Sequence, residues 1–173
     1  MRIQTILAFV LSLIAPFASY GQSVKNQNAA LSDLSRMFFE DRTNPTFGIR
    51  YLNPQKLDFS VESLKHVDEY LETIRKDKEV EKEWNRVVLR AGAYVGEVVR
   101  RNDKKTLWQW VDLDTAKSLD SQFFGSMPKV VASAAMLYDS KSGFAFPLAK
   151  IEKYLENGSE DSVYFFDQVM LSR

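Results

Sequence analysis

The chain has 173 residues, enough for one domain with a packed core, and 45% of them are apolar, as in globular rather than disordered proteins. Lysine plus arginine number 23 and aspartate plus glutamate also number 23, so the formal net charge is zero. A balanced charge gives no electrostatic footprint for nucleic acid or an anionic membrane, and we expect neither as a partner. The absence of cysteine excludes disulfides and cysteine-ligated zinc. We expect no metal and no cofactor.

The first 21 residues have the pattern of a secretory signal peptide. Arg2 gives a positive start, residues 6–17 form a short apolar run, and Ser19-Tyr20-Gly21 places small residues where a signal peptidase reads them. The apolar run is too short for a comfortable membrane span, and Pro16 interrupts it. We therefore expect cleavage after Gly21, a secreted or periplasmic protein, and no membrane span in the mature chain.

Residues 22–59 are predicted to form an N-terminal helix and a loop, ahead of a single α+β domain over residues 60–173. Apolar residues recur at helical spacing within residues 29–39, which predicts a short amphipathic helix. Pro45 and Gly48 mark the loop that follows.

The central element is a long helix predicted over residues 79–101. Its apolar stripe comprises Val80, Trp84, Val87, Val88, Ala91, Val95, Val98 and Val99. Gly92 and Gly96 lie one turn apart on the edge of this stripe, where glycine costs about 1 kcal/mol relative to alanine. We therefore expect another backbone segment to approach closely at that point. A second helix, over residues 61–76, precedes the long one, and we expect the two to pack as an antiparallel hairpin.

A small antiparallel sheet of about three strands is predicted after the central helix. Residues 107–113 carry large apolar groups on both faces, so we expect this strand to be covered on both sides. Residues 132–139 and 143–146 form the other two strands, and helices that begin at Pro147 and near Ser159 follow. The predicted fold class is α+β: a helical hairpin with a long central helix packed on the sheet, closed by two C-terminal helices.

Glu97 is the first candidate for catalysis. A carboxylate beside a buried helix crossing could act as a general acid or base. The helical wheel, however, places Glu97 about 100° from the centre of the apolar stripe. It also precedes Arg100 and Arg101 by three and four residues. We therefore interpret Glu97 as part of a surface ion pair.

His66 and Asp112 are the other candidates for catalysis. His66 is the only histidine, and a lone histidine cannot build a multi-histidine zinc site. No serine lies in a Gly-x-Ser-x-Gly nucleophile turn. Asp112 and Asp114 could hold a cation with Asp120 or Asp139, but the sequence lacks a calcium-binding loop. We therefore expect His66 to pack at the edge of its helix and the aspartates to cap helices or face solvent.

Trp108, Trp110 and Tyr94 are the predicted partner- or ligand-binding residues. Tryptophans on one face of a strand can anchor a protein partner or stack on a ligand, although they are more often packed beneath a helix. Tyr94 lies between the two glycines of the central helix. The sequence contains no phosphate-binding glycine loop.

Four motifs together resemble a group of small exported bacterial proteins of unknown function. They are the stretch Arg90-Ala91-Gly92-Ala93-Tyr94-Val95-Gly96-Glu97, a tryptophan-containing strand, Phe146-Pro147-Leu148-Ala149-Lys150 and the turn Asn157-Gly158. The resemblance covers residues 61–171 and implies no catalytic residue. Some proteins of this size act as immunity or inhibitor partners of bacterial toxins, which is an analogy at the level of size and style.

Three functions are compatible with these patterns. We favour an exported, non-catalytic binding protein that contacts another protein or an envelope component through Trp108 and Trp110, with an inhibitor or immunity protein as its narrower form. The first alternative is an envelope hydrolase that uses Glu97 with Asp112 or His66 as a helper. The second is a small-ligand carrier with an apolar pocket between the sheet and the glycine pair. The sequence leaves the oligomeric state open.

Overall fold

The computed structural model describes residues 24–172. The predicted signal peptide, residues 1–21, therefore lies outside the described residues. Over residues 24–172 the chain forms seven α-helices and a three-stranded antiparallel sheet, which confirms the predicted α+β class. None of the helices in this range has the combination of length and hydropathy needed to cross a bilayer.

The predicted elements are present with shifted bounds. The helices are α1 (residues 24–40), α2 (Ser63–Ile74), α3 (Val80–Asn102), α4 (Leu113–Leu119), α5 (Ser121–Phe124), α6 (Pro147–Asn157) and α7 (Val163–Ser172). The strands are β1 (Gln109–Asp112), β2 (Ala135–Asp139) and β3 (Gly143–Ala145), in the spatial order β1-β2-β3. The predicted strand over 132–139 is shorter, because Val131–Ser133 forms a 3-10 turn.

The long helix α3 lies at the centre of the core. Residues 90–99 are buried without a break, so the second half of α3 is enclosed on all sides rather than along one stripe. Its most extensive neighbour is α6, and its contact with α2, the predicted hairpin partner, is smaller. The first helix contributes Leu31, Phe38 and Phe39 to the same core. The segment before residue 60 is therefore packed into the domain.

Gly92 and Gly96 allow two other elements to approach α3 closely, as predicted. A Cβ atom at Gly92 would lie 2.8 Å from the backbone Cα of Leu148 on α6. A Cβ atom at Gly96 would overlap the indole of Trp110, so the close neighbour there is a side chain rather than a backbone. Leu148 and Trp110 fill the space beside Gly92 and Gly96. Among the described residues, the glycine pair therefore has no room beside it for the pocket that the carrier hypothesis requires.

The sheet separates two apolar layers. Trp110 pairs with Leu137, which in turn pairs with Ala145, and all three belong to the main core with α3. On the opposite face, Val111 pairs with Met136, and both belong to a second, smaller apolar cluster. The prediction that the first strand is covered on both sides is confirmed.

Helix α7 begins at Val163, after a 3-10 turn, and not directly after the predicted cap Ser159. Its N-terminus is held by Asp68 of α2, whose carboxylate accepts hydrogen bonds from the Val163 backbone N–H at 2.8 Å and from the Ser162 hydroxyl at 2.6 Å. A carboxylate at a helix N-terminus satisfies free N–H groups and favours the helix dipole. This contact fixes the last helix against the second.

Candidate functional site

Glu97 is buried, with 3% of its surface exposed, so the prediction of a surface ion pair is wrong in its location. The predicted arginines do pair with it: Arg100 Nη1 donates to Oε1, and Arg101 Nε lies 3.5 Å from Oε2. The unpredicted contact is Trp110, whose Nε1 donates to Oε1 at 2.9 Å. Trp110 comes from β1, and helical periodicity carries no information about what a strand places over a helix.

This arrangement engages the Glu97 carboxylate with donors alone. Oε1 accepts hydrogen bonds from Arg100 and Trp110, and Oε2 faces Arg101. Neither guanidinium nor indole exchanges protons in the range where enzymes work. The group therefore has the surroundings of a structural anion rather than of a general acid or base, which needs a reactant within hydrogen-bond reach.

The other two candidates for catalysis lie in separate places. His66, on α2, is half-buried, and its Nδ1 lies 3.1 Å from Glu69 Oε2. Asp112 caps α4, where its carboxylate accepts a hydrogen bond from the Thr115 backbone N–H at 2.8 Å. The hydrogen bonds and ion pairs of the described residues do not connect His66, Asp112 and Glu97 with one another. The structure therefore does not bring the hydrolase set together.

The other aspartates that were considered as cation ligands, and expected instead to cap helices or face solvent, are also engaged locally. Asp120 accepts a hydrogen bond from the Phe123 backbone N–H at 2.9 Å, and Asp139 accepts one from the Lys141 backbone N–H at 3.0 Å. Asp114 lies 3.6 Å from the ammonium of Lys129. Between residues 24 and 172, no group of three acidic or histidine side chains is placed to hold a metal ion.

Trp108 and Trp110 are buried, with 3% and 0% of their surfaces exposed, so the predicted contact surface on these residues is wrong. Each indole uses its only donor inside the protein: Trp108 Nε1 donates to Asp103 Oδ2 at 2.9 Å, and Trp110 Nε1 donates to Glu97. A tryptophan that anchors a partner keeps exposed surface in the free protein. These two side chains fill the core instead.

Tyr94, the third predicted binding residue, is also buried, and it holds the loop that precedes α2. Its hydroxyl donates to Ser63 Oγ at 2.7 Å and accepts from the Phe59 backbone N–H at 3.0 Å. Phe59 has a φ of 61°, a left-handed conformation that is uncommon for bulky residues. The Phe59 ring stacks on the Tyr94 ring, with 4.7 Å between the two centroids. The guanidinium of Arg101, which like Tyr94 belongs to α3, lies 3.5 Å from the centroid of the Phe59 ring. Packing on α3 therefore maintains the unusual backbone.

Exposed aromatic surface lies on the opposite face of the sheet. Its side chains form a connected set that we call the outer aromatic cluster: Phe123, Phe124, Tyr138, Phe144 and Phe146. The cover over this face includes α5, a helix of only four residues. Within α5, Phe124 is fully buried and Phe123 is 59% exposed, and the other three members of the cluster are half-buried.

A groove of about 310 Å³ adjoins the outer aromatic cluster. We call it the β3 groove, and it is lined by β3, α6 and α7 through Phe144, Ala145, Phe146, Ala149, Lys150, Lys153, Phe166 and Met170. On α7, next in sequence to the lining residues Phe166 and Met170, Phe165 is 62% exposed and Val169 is also exposed. The cluster and the groove together form a continuous apolar region, because they share Phe144 and Phe146.

Asp167 on α7 is the notable residue that the sequence patterns did not single out. It is fully buried, and neither carboxylate oxygen has a hydrogen-bond partner among the described residues. Burial raises the pKa of Asp167 to about 7, and the negative charge of Asp103 adds to the shift. The signal was available, because Asp167 lies one helical turn after Val163 and thus on the inner face of its helix.

Comparisons of the chain with protein-family models, with curated proteins and with solved structures found no match in any of the three. The resemblance to small exported bacterial proteins therefore stays a prediction. The case for a function rests on the placement of the residues described above.

Proposed function

We propose that the chain is an exported, non-catalytic binding protein whose partner is another protein or an envelope component. The observation that carries the proposal is the outer aromatic cluster, where Phe123 is 59% exposed beside the β3 groove. Apolar patches with a polar surround are typical of protein-contact surfaces, and a few aromatic anchors supply most of the binding energy there. The proposed surface replaces the one predicted at Trp108 and Trp110.

The non-catalytic part of the proposal is supported by the surroundings of Glu97. Its carboxylate faces Arg100, Arg101 and Trp110, none of which can serve as its partner in proton transfer. The carrier alternative is disfavoured because Leu148 and Trp110 occupy the space beside the two glycines of α3.

Export is supported by the composition of residues 1–21, with their positive start, short apolar run and small residues before Gln22. An inhibitor or immunity role towards a bacterial toxin is the narrower form of the proposal. It rests on the resemblance in Arg90–Glu97 and the later motifs, and on analogy with proteins of similar size.

The test compares three immobilised forms of the mature chain in an envelope extract of the host: wild type, Phe123→Ser and Leu107→Ser. Leu107 is the matched control, since it is apolar and 80% exposed but precedes β1 at the opposite edge of the sheet. We expect wild type and Leu107→Ser to retain the same protein, and Phe123→Ser to retain about tenfold less, the effect of losing one anchor worth about 1.4 kcal/mol.

Circular dichroism of the three forms checks that each is folded. Equal retention by Phe123→Ser and wild type, or no retained protein with wild type, would contradict the proposal. Equal losses in Phe123→Ser and Leu107→Ser would show that general surface hydrophobicity, and not the outer aromatic cluster, causes the retention.

A further inference from the structure

The two edges of the sheet differ in how they are covered. At the β1 edge, Asn28 of α1 accepts a hydrogen bond from the Trp110 backbone N–H at 2.8 Å, and its amide donates to the Gln109 side chain. At the β3 edge, no further strand pairs with Gly143–Ala145 among residues 24–172. A strand edge without a partner presents backbone donors and acceptors to which an extended peptide can add.

The β3 groove lies at this second edge, since Phe144 and Ala145 of β3 help to line it. When a peptide adds to a sheet edge, backbone hydrogen bonds supply affinity, and pockets for alternate side chains supply specificity. The groove's volume of about 310 Å³ is at the small end of ligand pockets. Such a volume suits an apolar side chain of an added strand better than a large cofactor.

The charges at the groove indicate which peptide fits it. Its charged lining residues are Lys150 and Lys153, and no acidic residue lines it. Lys150 Nζ is paired with Asp161 at 2.6 Å, and Lys153 is exposed, without a direct ion pair among the described residues but within electrostatic range of the same Asp161. Two lysines and one aspartate leave an excess of positive charge at the groove. If two copies of the chain paired through their β3 edges, each would bring its own lysines to the same place. Complementarity therefore favours an acidic partner over self-association.

Building on the proposed binding function, we infer that the β3 edge binds an extended, acidic segment of a protein partner. The segment adds a fourth strand beside β3, places one apolar side chain in the β3 groove, and sets a carboxylate opposite Lys153. Phe165, exposed on α7 beside the groove lining, extends the apolar contact.

The probe is a phage-displayed library of random twelve-residue peptides, selected on the immobilised mature chain. We expect selected peptides to alternate apolar and acidic residues, because successive strand side chains point to opposite faces. A synthetic copy, measured by fluorescence anisotropy, should bind Lys153→Glu about tenfold more weakly than wild type. Lys141→Glu is the matched control: it makes the same charge change in the β2–β3 turn outside the groove lining, and should stay within about twofold of wild type.

N-methylation of the synthetic peptide tests strand addition itself. In an added strand, every second N–H points to β3, so methylating one alternate set should abolish binding and methylating the other should leave it. Selected peptides without an acidic excess, equal binding to Lys153→Glu and wild type, or no selected peptide would overturn the inference. Sedimentation showing a wild-type dimer that Ala149→Glu in the groove dissociates would also overturn it, in favour of a second copy.

Failure of this inference can be told apart from failure of the proposed function. If retention of the envelope protein depends on Phe123 but is unchanged in Lys153→Glu, the proposed binding function is supported and the β3 edge is excluded as the binding site. If retention depends on neither Phe123 nor Lys153, both the proposed binding surface and the inferred strand addition at the β3 edge are contradicted.

Discussion

The two faces of the sheet use the same kinds of side chain in opposite ways. On the inner face, Trp110 is completely buried under α3, and its one polar atom bonds to the buried Glu97. On the outer face, Phe123 and Phe124 are neighbours in sequence, yet one is mostly exposed and the other fully buried. A large aromatic residue in the sequence therefore does not by itself indicate which face of a sheet meets a partner.

The lengths of the covering helices account for the difference. The inner face is covered by α3, which has 23 residues and is about 35 Å long, whereas the outer face is covered by α4, with 7 residues, and by α5, with four residues and a length of about 6 Å. A single helical turn cannot cover a set of aromatic rings, while a long helix with Gly96 at the contact lets an indole pack directly on its backbone. The inner face is therefore fully covered, whereas the outer face retains exposed apolar surface at Phe123.

The largest expected effect comes from adding one methyl group to the inner face. In Gly96→Ala the new Cβ overlaps the Trp110 indole. We expect a loss of about 3 kcal/mol in the free energy of unfolding, which exceeds the gain of about 1 kcal/mol in helix propensity. Urea denaturation measures the change.

Asn85→Ala, at an exposed position of the same helix, is the control and should change the free energy of unfolding by no more than about 0.5 kcal/mol. A neutral or stabilising Gly96→Ala would show that the indole moves aside at little cost. The inner face would then be no more tightly packed than the outer one.

The next effect is an increase in the free energy of unfolding and concerns Asp167, a buried carboxylate with no hydrogen-bond partner among residues 24–172. Its pKa, raised by burial to about 7, lies above the ordinary value of 3.8 that it has in an unfolded chain. The neutral form therefore favours folding most fully below pH 4, and this contribution falls as the pH rises to about 7. Asp167→Asn removes the charge, so we expect it to be more stable than wild type at pH 8 by about 2 kcal/mol, less than the full shift allows, because the buried amide also lacks partners.

Urea denaturation at pH 4.5, 6, 7 and 8 measures this difference. Subtracting the variant's curve from that of wild type isolates Asp167 from the other titrating carboxylates. Asp33→Asn, an exposed residue of α1, is the control and should show no such difference. A difference that is constant across this pH range would mean that Asp167 is ionised in the folded protein throughout.

Removing the negative charge of Glu97 should cause a smaller loss in the free energy of unfolding. Glu97→Gln keeps the shape and an acceptor for Trp110 but leaves Arg100 and Arg101 without their counter-charge. Breaking a fully buried ion pair costs about 3–5 kcal/mol, and we expect about 1–2 kcal/mol here because both arginines reach solvent. Glu81→Gln, exposed on the same helix, should be nearly neutral in the same urea experiment. A loss no larger than that of Glu81→Gln would mean that the ion pair adds nothing.

The smallest effect is expected on the outer face. Phe123→Ser should lower the free energy of unfolding by no more than about 0.5 kcal/mol, because the side chain is mostly exposed. Phe124→Ala, at the neighbouring buried position, should cost about 3 kcal/mol and serves as the comparison in thermal or urea unfolding. Similar losses in the free energy of unfolding in the two variants would contradict the assignment of Phe124 as buried and Phe123 as exposed.

Features that depend on one element alone were predictable from the sequence. The α+β class, the long central helix, the three strands and the close approach at Gly92 and Gly96 all follow from periodicity and from the cost of glycine in a helix. The capping role of Asp112 is likewise a local property.

Features that depend on two distant elements were not predictable. Glu97 is buried because β1 brings Trp110 over it, and a helical wheel contains no strand. The exposure of Phe123 depends on which side of the four-residue α5 packs on the sheet, and periodicity cannot define the inner side of so short a helix. Asp167 could have been found from its place on the inner face of α7, but its lack of partners is a property of the packed core.

The hydrogen bonds from Asn28 to the β1 edge have a consequence for stoichiometry. A sheet that can grow at both borders can propagate into a filament, since each added molecule offers a new border to the next. Here Asn28 of α1 covers one border, so a strand can be added directly only at the other border, beside β3. Each chain is therefore expected to take one guest strand directly, and copies of the chain cannot propagate into a filament through both borders of this sheet.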